Sequence, residues 1–254
     1  MHVQIIGMGV VGGAQAKLMQ KLGHQVTGCD VHPGNLDGIP IVDKPVHDAE
    51  LTFICTPEKY VPSVISNLRS TRVHNPYVIK STVPTGTTQA AMLEHGVHIC
   101  HNPEFLREET SVEDTLNQKF VVIGECCEKH GKELAELYKP LGAKIVRTKP
   151  NVSEMAKLIL NNYLATLITF WNEMDRVCSV MNIDTKEVAD IVKHDTRVSE
   201  YGTAFFGKPF GGKCLPKDLN QTLTLCRSKG ISPRLLETVK EINAEVQIIN
   251  SFRP

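Results

Sequence analysis

The sequence predicts an α/β protein: an N-terminal Rossmann-type, doubly wound parallel sheet over residues 1–150, then an all-α domain over 151–254 built on one long helix. Three observations carry this. Short apolar runs alternate with helical patterns through the first half, the signature of a parallel sheet covered on both faces. A GxGxxG closes the first apolar run. From residue 151 to about Met181 there is neither proline nor glycine.

In order, Val3 to Ile6 reads as a strand that runs into Gly7-Met8-Gly9-Val10-Val11-Gly12. A helix is expected over 10–21, with Ala14, Leu18 and Leu22 on one side and Gly23 ending it. A second strand, 25–29, closes with Asp30. Further strands are expected at 50–55, 77–80, 97–101, 120–124 and 144–146, and helices at 60–68, 87–93 and 129–138. In the second half a helix begins near Asn151 or Ser153, a second covers 185–193, and a last one starts near Pro233. Between them lies a loop, 195–216, rich in glycine and aromatics. A loop of that length in a compact domain is usually functional or disordered, and Phe205, Phe206 and Phe210 argue against disorder.

Composition narrows the classes of function. A chain of 254 residues with 41% hydrophobic and 22% charged residues can bury a real core. Lys plus Arg and Asp plus Glu are both 28, so no basic field argues for nucleic acid. No apolar run approaches the length of a membrane span, and the chain opens on a strand pattern, so neither an anchor nor a secretory signal is expected. The eight cysteines are scattered without a CxxC pair or zinc spacing, and Cys126-Cys127 are adjacent. Reduced thiols in a cytoplasmic compartment follow. His98 and His101 flank a strand end without a third ligand, so no metal is expected.

Strand, glycines, helix, strand and acid stand in the order that binds a dinucleotide. Gly7 permits the turn, Gly9 lets a pyrophosphate approach the backbone, and Gly12 lets helix and strand pack. Val10 and Val11 open the helix, whose N-terminus offers N–H groups to the phosphates. Asp30 can accept from ribose hydroxyls and would repel a 2′-phosphate, so NAD is preferred to NADP. The plainer reading, a glycine turn with no ligand, leaves Asp30 unexplained. Thr56, Thr82 and Glu104 each follow a predicted strand end, where ligands of such sheets lie; singly, each threonine would pass for a cap or turn residue. Glu104 and Glu108 lie four apart and would share a helical face, although one such pair more often marks a solvated helix end.

Residues 211–218, Gly-Gly-Lys-Cys-Leu-Pro-Lys-Asp, carry the sharpest chemical signal. Pro216 suits the first turn of a helix, which puts Cys214 just ahead of a helix N-terminus and beside Lys213 and Lys217. Both influences favour the thiolate, the form that attacks carbonyls. Asp218 follows, within reach to orient or deprotonate a water. The plainer reading is a small packed cysteine near a turn. Lys157 and Asn161 lie four apart on the long helix; a buried lysine there would be costly unless used or paired.

Five segments together resemble the UDP-glucose/GDP-mannose dehydrogenase family across nearly the whole chain. They are residues 7–12, Ser81-Thr82-Val83-Pro84, residues 102–108 (Asn-Pro-Glu-Phe-Leu-Arg-Glu), Glu154 to Lys157 with Asn161, and residues 210–218. The resemblance implies two successive NAD-dependent oxidations of a nucleotide-sugar primary alcohol to a uronate. It implies that Asp218 and Lys157 assist proton removal and water activation, that Cys214 carries a thiohemiacetal and then a thioester, and that Lys157 and Asn161 stabilise the oxyanion. Glu104 and Thr82 would position water and protons. Thr56, Thr82, Glu108 and Lys217 are grouped with the cofactor. Phe105, Leu106, Phe210 and Gly211 would line the sugar, and Arg197 resembles an arginine sent into a neighbouring subunit.

Two departures stand out: Glu109 replaces a common glycine, and the family usually continues into a second α/β domain. A fragment, a short natural form or a separate chain supplying that domain would each account for the second. The long apolar helix predicts a homodimer. Two other readings compete. A two-electron dehydrogenase of the 3-hydroxyacid type also pairs a lysine with an asparagine, but leaves Cys214 without a task. A non-catalytic NAD-binding protein has no need of a reactive thiol.

Overall fold

The computed structural model describes residues 1–73, 76–107 and 110–251. It divides into two compact units, residues 1–157 and 158–254.

The first unit is built on a sheet with nine strands among the described residues: β1 (His2–Ile6), β2 (Gln25–Cys29), β3 (Gly34–Leu36), β4 (Ile39–Val42), β5 (Leu51–Ile54), β6 (Tyr77–Ile79), β7 (Ile99–His101), β8 (Phe120–Gly124) and β9 (Lys144–Thr148). Their order is β3-β4-β2-β1-β5-β6-β7-β8-β9. The neighbours from β4 to β7 run parallel, as do β8 and β9. The β3–β4 and β7–β8 pairs are antiparallel. The sheet is therefore mixed at its flanks rather than parallel throughout.

Helices α1 (Val10–Lys21), α2 (Val61–Ser70), α3 (Thr87–His95), α4 (Ser111–Leu116) and α5 (Glu128–Tyr138) complete the connections. Successive side chains of a strand point to opposite faces. Val3, Ile5, Phe53 and Val78 accordingly join one core with Leu18 and Met19 of α1 and Leu134, Leu137 and Tyr138 of α5. Ile6, Ile54, Tyr77 and Ile79 join the other, with Val61, Ile65 and Leu68 of α2 and Ala91 of α3. Both faces are covered, as a doubly wound sheet requires.

One hairpin and two short helices were not expected from the sequence. The β3–β4 hairpin is interrupted by Pro33, Gly34 and Pro40, which masks any alternation. Its turn is nonetheless chemically marked: Asp37 and Gly38 both take positive φ (49° and 89°), the geometry of a two-residue Asp-Gly turn. Helix α4 follows the 102–107 loop and has only six residues, too few for a clear period. The long loop contains a short helix, α8 (Glu200–Thr203), capped by the Ser199 hydroxyl.

Helix α6 (Pro150–Val180) runs through the unit boundary, and the second unit adds α7 (Thr185–Val192), α8, α9 (Leu215–Ser228) and α10 (Arg234–Ser251). Its core is Ala165 and Ile168 of α6, Phe210 of the loop before α9, Leu219 and Leu223 of α9, and Val239 of α10. Among the described residues, no helix is long and apolar enough to cross a membrane.

Candidate active site

The glycine loop joins β1 to α1. Gly7 has φ +89° and its N–H donates to the Cys29 carbonyl at 2.8 Å. A side chain at Gly7 would stand 2.9 Å from Thr56, and one at Gly12 only 1.8 Å from the Gly7 carbonyl oxygen. Both positions are closed to any larger residue by the protein's own packing. Gly9 differs. It caps α1, is exposed, and a Cβ there would meet nothing within 4 Å. Packing does not call for glycine at this point, whereas a ligand pressed against the backbone would. Val10 and Val11 open α1, and no acidic side chain lies in its first turn to repel an anion.

Asp30 ends β2 and ties it to this loop: its carboxylate accepts the Met8 N–H at 2.7 Å and the His32 N–H at 3.2 Å. Thr56 follows β5. Its carbonyl accepts the Ser81 hydroxyl at 2.5 Å, but its own hydroxyl oxygen is buried without a hydrogen-bond partner among the described residues. A buried polar atom left so costs about 1–3 kcal/mol, which a polar ligand atom would recover. Thr82 stands half-buried in the loop after β6.

Beyond β7 the chain places Glu104, Phe105 and Leu106. Lys157 Nζ lies 3.2 Å from Glu104 Oε1, with both side chains nearly sealed from solvent (4% and 9% exposed). The other carboxylate oxygen accepts the Leu106 N–H at 3.0 Å. Phe105 lies against Phe120, with the Lys157 ammonium 5.5 Å from its ring centre. A buried pair of this kind breaks at a cost of about 3–5 kcal/mol, because it strands a charge.

Glu154, three residues earlier on α6, is 1% exposed and serves as a remote cap for α3. Its carboxylate accepts the Gly86 N–H at 2.6 Å, and the Thr88 N–H and hydroxyl at 2.8 and 2.6 Å. Burial still pushes its pKa up, against those hydrogen bonds.

Two buried basic groups behind these strand ends have their pKa values lowered. His101 bonds Ser153 Oγ through Nδ1 at 2.8 Å and faces the Ser81 carbonyl through Nε2. Burial, with Lys80 and Lys157 nearby, lowers its pKa to about 3. Lys80 donates to Asn102 Oδ1 at 2.9 Å, and burial lowers it to about 8, against the pull of Cys55 and Glu104. Asn102 Oδ1 also accepts the Tyr138 hydroxyl at 2.6 Å, and Tyr138 is bonded by Gln15 at 2.9 Å.

In the second unit, Gly212 takes φ +71° and Cys214 stands exposed at the N-cap of α9, its carbonyl accepting the Asp218 N–H at 2.9 Å. Asp218 is fully buried. Its carboxylate accepts the Asn161 amide through a short bond of 2.5 Å and pairs with Lys217 Nζ at 2.6 Å. One turn on, Asn162 donates to Thr222 Oγ1 at 2.7 Å, so α6 and α9 are bonded twice. The chain leading into this loop is gripped by three asparagines: Asn250 on the Gly207 carbonyl (3.0 Å), Asn172 on the Lys208 carbonyl (2.8 Å), and Asn243 on both backbone atoms of Phe210.

Each unit thus gathers part of the sequence-derived set. The first brings Lys157 to Glu104, and the second brings Asn161 to Asp218 and Lys217. Arg197 is exposed and bonded to Asp195. Phe210, expected against a sugar, buries its ring in the second unit's core, and Gly211 beside it is exposed. Glu108 and Glu109 lie outside the described residues.

Residues 151–245 match the central domain of the UDP-glucose/GDP-mannose dehydrogenase family, and residues 32–142 match that family's NAD binding domain. A GDP-mannose 6-dehydrogenase of Pseudomonas putida is 30% identical over 99% of this chain and 70% of its own. The chain belongs to the UDP-glucose/GDP-mannose dehydrogenase family.

The UDP-glucose 6-dehydrogenase TuaD of Bacillus subtilis is also 30% identical, over 97% of this chain; the chain spans only 63% of that relative's length. Among solved structures, a UDP-glucose dehydrogenase from Pyrobaculum islandicum superposes with a TM-score of 0.86 at 27% identity, covering 96% of this chain and 68% of its own. The cofactor of this family chain is NAD. The residues present fit it: an open approach at Gly9, an anion-ready helix end, and an unsatisfied hydroxyl at Thr56.

Sequence reasoning gave no role to Lys80, His101, Asn172, Asn243 or Asn250. Each is an ordinary residue type inside or beside a regular element, and only its partner far along the chain gives it a role.

Proposed function

We propose that this chain carries the chemistry of an NAD-dependent, four-electron oxidation of a nucleotide-sugar primary alcohol to the uronate, UDP-glucose being the first substrate to try. The reading rests above all on Cys214: an exposed thiol at a helix N-terminus, after a left-handed glycine and ahead of a buried, anchored carboxylate. A helix N-terminus favours the thiolate.

Bound NAD supplies the hydride acceptor for both oxidations. In the first, Asp218 with Lys157 assists removal of the alcohol's proton. In the second, Cys214 Sγ adds to the aldehyde carbon, and the thiohemiacetal loses a hydride to become a thioester. Water activated by Asp218 and positioned by Glu104 and Thr82 then displaces the thiolate. Lys157 and Asn161 stabilise the oxyanion of the tetrahedral species. Per sugar, one water is consumed and two NADH form.

The protein works as a homodimer in this reading. Ile159, Tyr163, Phe170 and Val177 recur at intervals of four and seven along α6 and are each more than half exposed. Such a stripe suits a helix pair. The eight cysteines, scattered along the chain, suit a reducing, cytoplasmic compartment.

The test is a count of NADH per sugar with the purified chain, NAD and UDP-glucose, then GDP-mannose. Two per sugar supports the proposal. One per sugar indicates the two-electron reaction, and NAD binding without turnover on either sugar indicates a binding protein. Full two-NADH turnover by Cys214→Ala would rule out the thioester.

A further inference from the structure

At the amino ends of β1, β5, β6 and β7, opposite the glycine loop, lies a cluster of thiols and imidazoles that the oxidation does not use. His98 immediately precedes β7. Cys126 and Cys127 follow β8, and His130 sits in the first turn of α5. Because β7 and β8 are antiparallel, the start of one meets the end of the other.

The distances are those of one coordination shell. Cys126 Sγ lies 3.9 Å from Cys127 Sγ, 3.3 Å from His130 Nδ1 and 3.7 Å from His98 Nδ1, and Cys127 Sγ lies 3.3 Å from the same His130 nitrogen. All four ligand atoms lie within 4.8 Å of one another. With Zn–S of about 2.3 Å and Zn–N of about 2.0–2.1 Å, a tetrahedron has S···S edges of about 3.8 Å and S···N edges of about 3.5 Å. Hydrogen bonding alone explains the convergence poorly. Cys126 Sγ faces Cys127, His98, His130 and also Cys100 Sγ at 3.6 Å, and a thiol has one proton to offer.

The surroundings fit a cation. The other ring nitrogen of His130 lies 4.0 Å from Glu133 Oε2, a nearby carboxylate that adds negative charge beside the cluster. Cys127 is the N-cap of α5, which fixes its backbone at the start of that helix. Cys100 Sγ accepts the Cys126 N–H at 3.4 Å, fixing that loop. His98 is exposed and leaves an entry path.

We propose that His98, Cys126, Cys127 and His130 form a four-coordinate site for a soft divalent cation, Zn²⁺ first. The ion is structural: it joins β7, β8 and α5 where the sheet is held by a single residue pair, His101 with Gly124. The sequence shows no zinc spacing because His98 stands far from the other three ligands along the chain. The fold supplies the proximity.

The full chain, stripped of metal by a chelator under reducing conditions, is titrated with Zn²⁺ against a chromophoric chelator, and separately with Co²⁺. One Zn²⁺ per chain is expected, with a higher melting temperature and the absorption of tetrahedral Co²⁺ carrying thiolate ligands. His98→Ala and Cys127→Ser should each weaken binding by at least about tenfold. Cys226→Ser should leave it unchanged. His98 is exposed, so its loss does not threaten folding. Substoichiometric metal, equal affinity in His98→Ala and Cys127→Ser, or a Cys100–Cys126 disulfide that persists under reductant and excludes the ion would each overturn the proposal.

Discussion

Asn243 holds Phe210 by both backbone atoms: its carbonyl oxygen accepts the Phe210 N–H at 2.8 Å and its amide donates to the Phe210 carbonyl at 3.0 Å. All of these groups are buried. Phe210 immediately precedes the two glycines ahead of Cys214, so this clamp sets where the thiol loop departs from the core. Asn243→Ala strands a buried donor and acceptor at about 1–3 kcal/mol each. A lower melting temperature is expected, together with a changed rate of Cys214 alkylation and unaltered NAD affinity. An unchanged alkylation rate would show that the clamp serves stability alone.

Gly9 and Gly12 should separate binding from folding. Gly12→Ala drives a Cβ to 1.8 Å from the Gly7 carbonyl oxygen, so α1 cannot stay seated on β1 and a severe loss of stability is expected. Gly9→Ala meets open space, so its melting temperature should match the wild type while NAD binding weakens at least about tenfold. Thermal melts and calorimetric titration with NAD read both; equal NAD affinity in Gly9→Ala would remove this loop from the cofactor site.

Acid and base should act on His101 and Lys80 with one sign. Native His101 titrates near 3 against 6.5 for the free side chain, and native Lys80 near 8 against 10.5. In each window the unfolded chain holds the extra proton, so stability rises with pH. Unfolding free energy should therefore fall on acidification through 6.5 and climb above 8. Denaturant titrations should show the acid slope reduced in His101→Asn and the alkaline slope reduced in Lys80→Met. Slopes identical to wild type would mean that both groups are solvated.

The α6 stripe predicts the behaviour of charge at its centre. Phe170→Glu together with Tyr163→Glu should convert the homodimer to a monomer in sedimentation or light scattering at micromolar concentration. Both side chains are more than half exposed, so the fold should survive. A wild-type protein that is already monomeric would refute the homodimer.

Much of the frame was legible because its signals are local. The GxGxxG with Asp30 marked the first βαβ unit, and the proline- and glycine-free run marked α6. Thr56, Thr82 and Glu104 do follow strand ends, those of β5, β6 and β7, as the alternating pattern implied. The β3–β4 hairpin was missed because prolines and glycines break its alternation, although Asp37-Gly38 marked the turn. Phe210 was expected against a ligand, but its ring is in the core, since an aromatic in a loop reads the same either way.

By itself the sequence determined the doubly wound domain and the long helix, and it singled out the candidate residue types, because periodicity, glycine conformation and helix starts are set by near neighbours. Tertiary structure alone decided which groups meet. Glu154 caps a helix 66 residues away, Asn243 grips Phe210, burial lowers the pKa of Lys80 and His101, and His98 comes together with Cys126, Cys127 and His130. Pairing, desolvation and coordination are properties of distance in space, and spacing along the chain does not encode them.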